Sequence, residues 1–296
     1  MLIDTHAHLN FSAYKEDIDE VIKRTLDNNI WVINVGSQGT TSKRAVELAE
    51  KYGKGLPAGR QGVFAAVGLH PIHLEERKVD ISEVDPQNVF TTRAEEFDYN
   101  YYKELVRSAN SGQAHPKVVA IGEIGLDYYY RPKTKIKLEA FKKKQKDTFL
   151  QQLNLAKELN LPVIFHSRVA HKDLIGLLKS NPEARPDKAV AHGFVGNSEE
   201  LKEYLNFGYS IGINGIIFKK IEGIDFEANI KQIPIGQIVV ETDAPYLSPP
   251  MAPDRNEPIY LKYIVEEIAR IKGMGYERVE EATTENALKL FDLNEI

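Results

Sequence analysis

The chain has 296 residues, 42% hydrophobic and 27% charged, with 38 Lys and Arg against 43 Asp and Glu and a net charge of −5. That is the balance of a soluble globular protein and excludes a disordered chain, a collagen-like chain and a coiled coil; the negative net charge also excludes a general coat for nucleic acid while leaving room for a local basic patch. With no cysteine, a disulfide framework, a thiolate zinc site and a cysteine nucleophile are excluded.

The first apolar run, residues 1–5, lacks the charged and long apolar regions of a signal peptide. No later run approaches the roughly 20 apolar residues of a membrane span. The expectation is a cytoplasmic monomer with no membrane contact. Further β-branched runs follow at 31–35, 63–67, 118–121, 163–165, 189–191, 209–213 and 238–240, eight runs in all. Stretches between them, such as 140–159 and 201–207, space their apolar residues three and four apart, as helices do. Continuous apolar strands alternating with helices predict an α/β protein with a parallel, helix-covered sheet. Eight such units predict a closed (β/α)8 barrel, with an open doubly wound sheet as the runner-up.

Three segments break the rhythm. Residues 54–62, KGLPAGRQG, read as a flexible loop. The stretch 75–116 is too long for a simple connection and contains an extra helix at 98–109. Beyond residue 240, Pro245, Pro249, Pro250, Pro253 and Pro258 impose a rigid, irregular loop, and helices at 259–271 and 276–291 close the chain. The whole, 1–296, reads as one barrel domain with an inserted segment around 75–116.

The histidines and acids fall at strand ends. Asp4, His6 and His8 end the first strand, and residues two apart in a strand share a face. The three are therefore expected to project together, with His6 and His8 reaching one cation. His70 follows the third run, Glu123 the fourth, His166 the fifth, His192 the sixth and Asp243 the eighth; His73 lies close behind His70. Barrel enzymes place their catalytic groups at this end of the strands. Only nitrogen and oxygen donors are on offer, which suits Zn, Mn or Mg. Four imidazoles and two carboxylates exceed one tetrahedral ion, so two divalent ions sharing a bridging carboxylate fit better. Such pairs sit ~3.5–4 Å apart and clamp the attacking and leaving oxygens of a displacement, which makes hydrolysis the expected reaction class.

The segments Asp4-Thr5-His6-Ala7-His8-Leu9, Gly68-Leu69-His70-Pro71, Ile121-Gly122-Glu123-Ile124-Gly125-Leu126-Asp127-Tyr128, His166-Ser167-Arg168, His192-Gly193-Phe194-Val195-Gly196 and Glu241-Thr242-Asp243-Ala244-Pro245-Tyr246-Leu247 resemble the TatD family of metal-dependent deoxyribonucleases. The matches run in order from residue 1 to about 258. The resemblance implies a TIM barrel of the metallo-dependent hydrolase type and metal-dependent phosphodiester hydrolysis. It implies that His6, His8 and Asp243 hold one metal, and that Glu123 bridges to a second held by His166 and His192. Asp243 would also orient or deprotonate the attacking water. His70 would contact the scissile phosphate or help the leaving group, and Arg168 would clamp phosphate through its guanidinium fork.

Departures from the family pattern are Ala7 and Gly193 where cysteine is frequent, the 54–62 insertion, and a loop 248–258 that keeps Arg255-Asn256-Glu257-Pro258 without the usual basic stretch before it. DNA, as single strands or frayed ends, is the expected substrate. The basic stretch 131–146 could screen phosphates, and the run Tyr128, Tyr129, Tyr130 could stack on unpaired bases. Competing readings are an amidohydrolase of a small C–N or ester substrate, a deacylase of aminoacyl-tRNA, and an inactive barrel kept for binding. Glu123, where amidohydrolases often carry a modified lysine, favours the phosphodiesterase.

Overall fold

The computed structural model describes residues 1–53, 62–80, 89–112, 116–253 and 255–293. Among them, eight parallel strands form one sheet: β1 (Leu2–Ala7), β2 (Ile30–Val35), β3 (Val63–Val67), β6 (Val118–Asp127), β7 (Val163–Arg168), β8 (Ala189–Ala191), β9 (Ser210–Ile213) and β10 (Ile238–Val240). They neighbour one another in that order. The ring is drawn shut between its first and last members. The Asp243 N–H donates to the His6 carbonyl at 2.8 Å, and the His8 N–H to the Ala244 carbonyl at 2.7 Å. This is the (β/α)8 barrel, and these closing bonds exclude the open sheet.

Burial alternates along the strands between two main apolar clusters, with Val32 and Val63 in a third. Ile3, Ile33, Phe64, Val119, Ile164, Val190 and Val239 form one. One residue set drawn from seven strands can meet only inside the ring. Leu290 and Phe291, at the end of helix α9 (Tyr276–Leu290), join that cluster and plug the ring at the ends where the strands begin. Leu2, Val67, Val118, Phe165, Ile211 and Val240 belong to the other cluster, beneath the helices. The fully buried Phe64 and Phe165 side chains each contribute about 1.5–3 kcal/mol through burial. The strand ends opposite the plug are left for the polar residues.

The outer helices are α1 (Ile18–Asp27), α2 (Gly39–Tyr52), α4 (Lys135–Glu158), α5 (His171–Ser180), α6 (Ser198–Asn206), α7 (Phe226–Gln232) and α8 (Leu261–Lys272). The expected loop at 54–62 lies, apart from Gly62, outside the described residues. The long insertion holds more than the expected helix. That helix is α3 (Tyr99–Asn110), capped by the Asp98 carboxylate on the Tyr101 N–H. Before it comes an antiparallel pair, β4 (Arg77–Asp80) and β5 (Val89–Thr92), too short and mixed to show as a strand pattern in sequence. Glu95 pins the insertion to the barrel by accepting the Gly39 N–H at the start of α2, at 3.0 Å.

β6 and β7 run several residues past their apolar runs. Their register shifts between Ile121 and Ile124, then continues through Gly125–His166 to Asp127–Arg168. Gly125 permits this approach: it has φ +153°, and a Cβ there would lie 1.9 Å from the His166 carbonyl oxygen. Gly125→Ala should therefore cost about 3 kcal/mol or more, lowering the melting temperature by roughly 6–12 °C. Thermal unfolding followed by circular dichroism checks this. A drop under about 2 °C would show that the strand pair yields without cost.

Candidate metal centre

Glu123 lies inside β6, within the register shift, and projects into the mouth of the ring. Around it stand imidazoles from four other strand ends. The His6 Nε2 is 3.4 Å from Glu123 Oε2, and His192 Nε2, His70 Nε2 and His166 Nδ1 are 3.2, 3.5 and 2.6 Å from Oε1. His8 Nε2 lies 3.3 Å from Asp243 Oδ1 and 3.2 Å from His6 Nε2. Three sets of donors come within 4.8 Å of one another: His6, His8 and Asp243; His6, Glu123 and His192; His70, Glu123 and His166. The six expected ligands thus converge, and Glu123 belongs to two of the three sets.

Hydrogen-bond partners fix which ring nitrogen is available. His8 Nδ1 faces the Val35 carbonyl at 2.9 Å, an acceptor only, so Nδ1 carries the proton and Nε2 offers a lone pair. His192 Nδ1 faces Glu241 Oε1 at 2.8 Å, which likewise turns a bare Nε2 to the centre. His166 Nε2 faces Asp127 Oδ2 at 3.2 Å, leaving Nδ1 for the centre. Bare nitrogens and carboxylates packed this closely repel unless a cation lies among them. The donor set therefore fits divalent metal, with the outer partners that orient metal-bound imidazoles. His70 is different. Its Nδ1 accepts the Ile72 N–H at 3.0 Å, so Nε2 carries the proton and acts as a donor.

Burial alone would raise the pKa of Glu123, but the imidazoles of His70, His192, His166 and His6 packed around it hold it well below the usual carboxylate range. Burial also opposes ionisation of Asp243, and the closeness of the His8, His192 and His6 rings outweighs it and lowers its pKa. Both carboxylates are thus anionic at neutral pH, as cation binding requires. Asp4 does not join them. Its carboxylate accepts the Thr242 N–H at 2.9 Å and hydroxyl at 2.5 Å, latching β1 to the segment after β10. Burial raises its pKa to about 7, against the lowering effect of those Thr242 bonds.

Sequence reasoning assigned no role to Asp127 and Glu241, although both stand in motifs it quoted. Glu241 is fully buried and also accepts the Gly193 N–H at 2.6 Å. Its room comes from Gly212, where a Cβ would lie 2.4 Å from Oε2. A carboxylate two residues before Asp243 and a glycine on the neighbouring strand were the available signals.

The substrate-contact expectations fare unevenly. Tyr128 is buried, its hydroxyl donating to Asp173 at 3.0 Å, so it offers no free ring. Four of the eight basic residues in the stretch 131–146 are engaged within the protein. Lys142 and Lys146 pair with Asp173, Lys143 pairs with Asp147, and Lys144 donates to the Leu74 carbonyl. Arg255 is likewise engaged by Asp17 and Glu257. Tyr129 is exposed, with the Arg168 guanidinium 3.7 Å from its ring centre. Arg77 of the inserted hairpin donates to the Tyr130 carbonyl, so the insertion steadies this corner. Tyr129, Arg168 and the metal centre line one cleft of about 850 Å3. Among the described residues, no helix is long and apolar enough to cross a membrane.

A sequence model of the TatD related DNase family matches residues 3–292. The chain is 36% identical to YabD of Bacillus subtilis, named an uncharacterized metal-dependent hydrolase, over 99% of this chain and 100% of that protein. It is 31% identical to the Citrobacter rodentium protein named 3'-5' ssDNA/RNA exonuclease TatD, over 99% of this chain and 98% of that one. The crystal structure of YjjV, a TatD homolog from Escherichia coli, superposes with a TM-score of 0.77 at 25% identity, covering 98% of both chains.

Proposed function

The chain belongs to the TatD related DNase family of metal-dependent hydrolases, and we propose that it cleaves phosphodiester bonds of DNA, taking single-stranded or frayed ends in preference to closed duplex. The observation that carries this reading is the convergence of His6, His8, His166 and His192 on Glu123, with Asp243 beside His6 and His8, and with the bare ring nitrogens of His8, His192 and His166 set by their outer partners. In this reading the protein is a cytoplasmic monomer, one domain over 1–296, that holds two divalent ions, Mg, Mn or Zn. His6, His8 and Asp243 would hold one ion and His166 and His192 the other, with Glu123 shared between them. When bound, such ions supply Lewis acidity and bring a water toward deprotonation near neutral pH.

The side chains supply the rest. Asp243 orients the attacking water and accepts its proton. His70, with its proton on Nε2, donates to the scissile phosphate or the leaving oxygen. Arg168, held over the Tyr129 ring, pairs with a neighbouring phosphate. The name of the Citrobacter relative supports a single-stranded substrate. So does the cleft, because a duplex end must unpair to reach its floor, at ~1.4 kcal/mol per base-pair step. A carboxylate at position 123, inside a ring of imidazoles, favours this reading over a small-substrate amidohydrolase.

The test is one labelled oligonucleotide, single-stranded and then annealed, assayed with Mg, Mn or Zn and again with EDTA. Cleavage should require metal, and the single strand should be cut at least about tenfold faster, the effect of one unpaired step. Equal rates would place the substrate across the surface, and metal-independent cleavage would exclude the centre.

A further inference from the structure

The cleft above the metal centre has two unlike walls. Tyr129 and Arg168 form one. The other is the segment that follows β9, where Ile216, Ile221 and Ile224 are half-buried along the cleft, with Lys219, Lys220 and Glu222 in the same lining. This wall is firmly held. The Asn214 side chain accepts the Ile216 N–H at 3.0 Å and caps the short turn Gly215–Phe218. Gly215 packs so closely on the next loop that a Cβ would lie 1.9 Å from the Leu247 carbonyl oxygen. Phe218 anchors the turn against the core under the helices.

Resting on the phosphodiesterase reading above, we propose that this isoleucine–lysine wall is a second nucleotide subsite. One nucleotide beside the scissile phosphate stacks at Tyr129 and Arg168. Its neighbour across that phosphate lays its base on Ile216, Ile221 and Ile224, with the next phosphate against Lys219 or Lys220. An aliphatic face buries any base without reading its edge, so the site is tolerant of sequence. Lys220 is exposed on this wall, and its ammonium suits a phosphate backbone and not a cationic ligand. The cleft volume of about 850 Å3 lies toward the upper end of the ~300–1,000 Å3 that encloses a drug-sized molecule. That leaves room for a nucleotide on each side of the phosphate.

The test compares kcat/KM for a single-stranded decamer with that for methyl p-nitrophenyl phosphate, a diester with no nucleoside to place on either wall. Two variants are used, Lys219→Ala with Lys220→Ala, and Ile221→Asp, each checked for wild-type melting. The ratio of decamer to small diester should fall at least tenfold in each. In the lysine variant, the plot of log kcat/KM against log salt for the decamer should flatten by about 0.7 for each phosphate that the wall no longer neutralises. A fall of less than tenfold in folded variants overturns the subsite and leaves the phosphodiesterase reading standing. Wild-type protein that cleaves neither substrate overturns both.

Discussion

Asp243→Asn should lower kcat/KM on single-stranded DNA by at least about 10³-fold, more than 4 kcal/mol of barrier, with a melting temperature within a few degrees of wild type. The fold is spared for local reasons. Asp243 sits at φ 58°, in the left-handed region that asparagine tolerates as well as aspartate does. Its backbone bonds, N–H to the His6 carbonyl and carbonyl from the Tyr246 N–H, do not involve the side chain. The chemistry is not spared. The carboxylate lies 3.3 Å from His8 Nε2 and 3.8 Å from His6 Nε2, where an amide has the shape but neither the charge to hold a cation nor the basicity to take a proton. Alanine would be a poorer test, because it strains the left-handed backbone as well. A loss under tenfold, with normal melting, would mean that another group activates the water.

The barrel was legible because its strands are buried on both faces and read as unbroken apolar runs. Legibility failed where that cause lapses. β6 extends to Asp127 and β7 to Arg168, but Gly122, Glu123, Gly125 and His166 interrupt the apolar signal just where the strands become functional. The ligands could be found from residue type and position alone. Their orienting partners could not, since Asp127 and Glu241 act through contacts with residues 39 and 49 positions away along the chain. The same limit explains the basic stretch. A run of lysines shows charge but not the Asp173 carboxylate that α5 brings beneath Lys142 and Lys146. Asp4 failed in a different way. Strand alternation placed it with His6 and His8, but β1 breaks register between Asp4 and Ala7, and the carboxylate turns to Thr242.

Glu123→Gln should separate the two halves of the centre. Glu123 takes part in the sets with His6 and His192 and with His70 and His166, while the set of His6, His8 and Asp243 does not include it. A neutral amide at position 123 therefore removes the shared donor and leaves one set complete. Wild-type protein titrated with Mn or Zn in a calorimeter should bind two ions per chain; the variant should bind no more than one with comparable affinity. Cleavage should fall about 10³-fold or more, since a displacement clamped at one oxygen loses stabilisation of the other. The stoichiometry is the deciding measurement, because lost activity alone would follow from many kinds of damage. Asp243→Asn supplies the complement: it spoils the set that Glu123→Gln leaves intact, so the single ion retained by each variant should occupy a different place. Zn bound to the Glu123→Gln protein should then be lost on adding His8→Ala. In the Asp243→Asn background, the same His8 change should matter little, since the set it belongs to is already broken. Two ions bound to Glu123→Gln at wild-type affinity would show that this carboxylate does not bridge, and that the histidines around it hold each ion on their own.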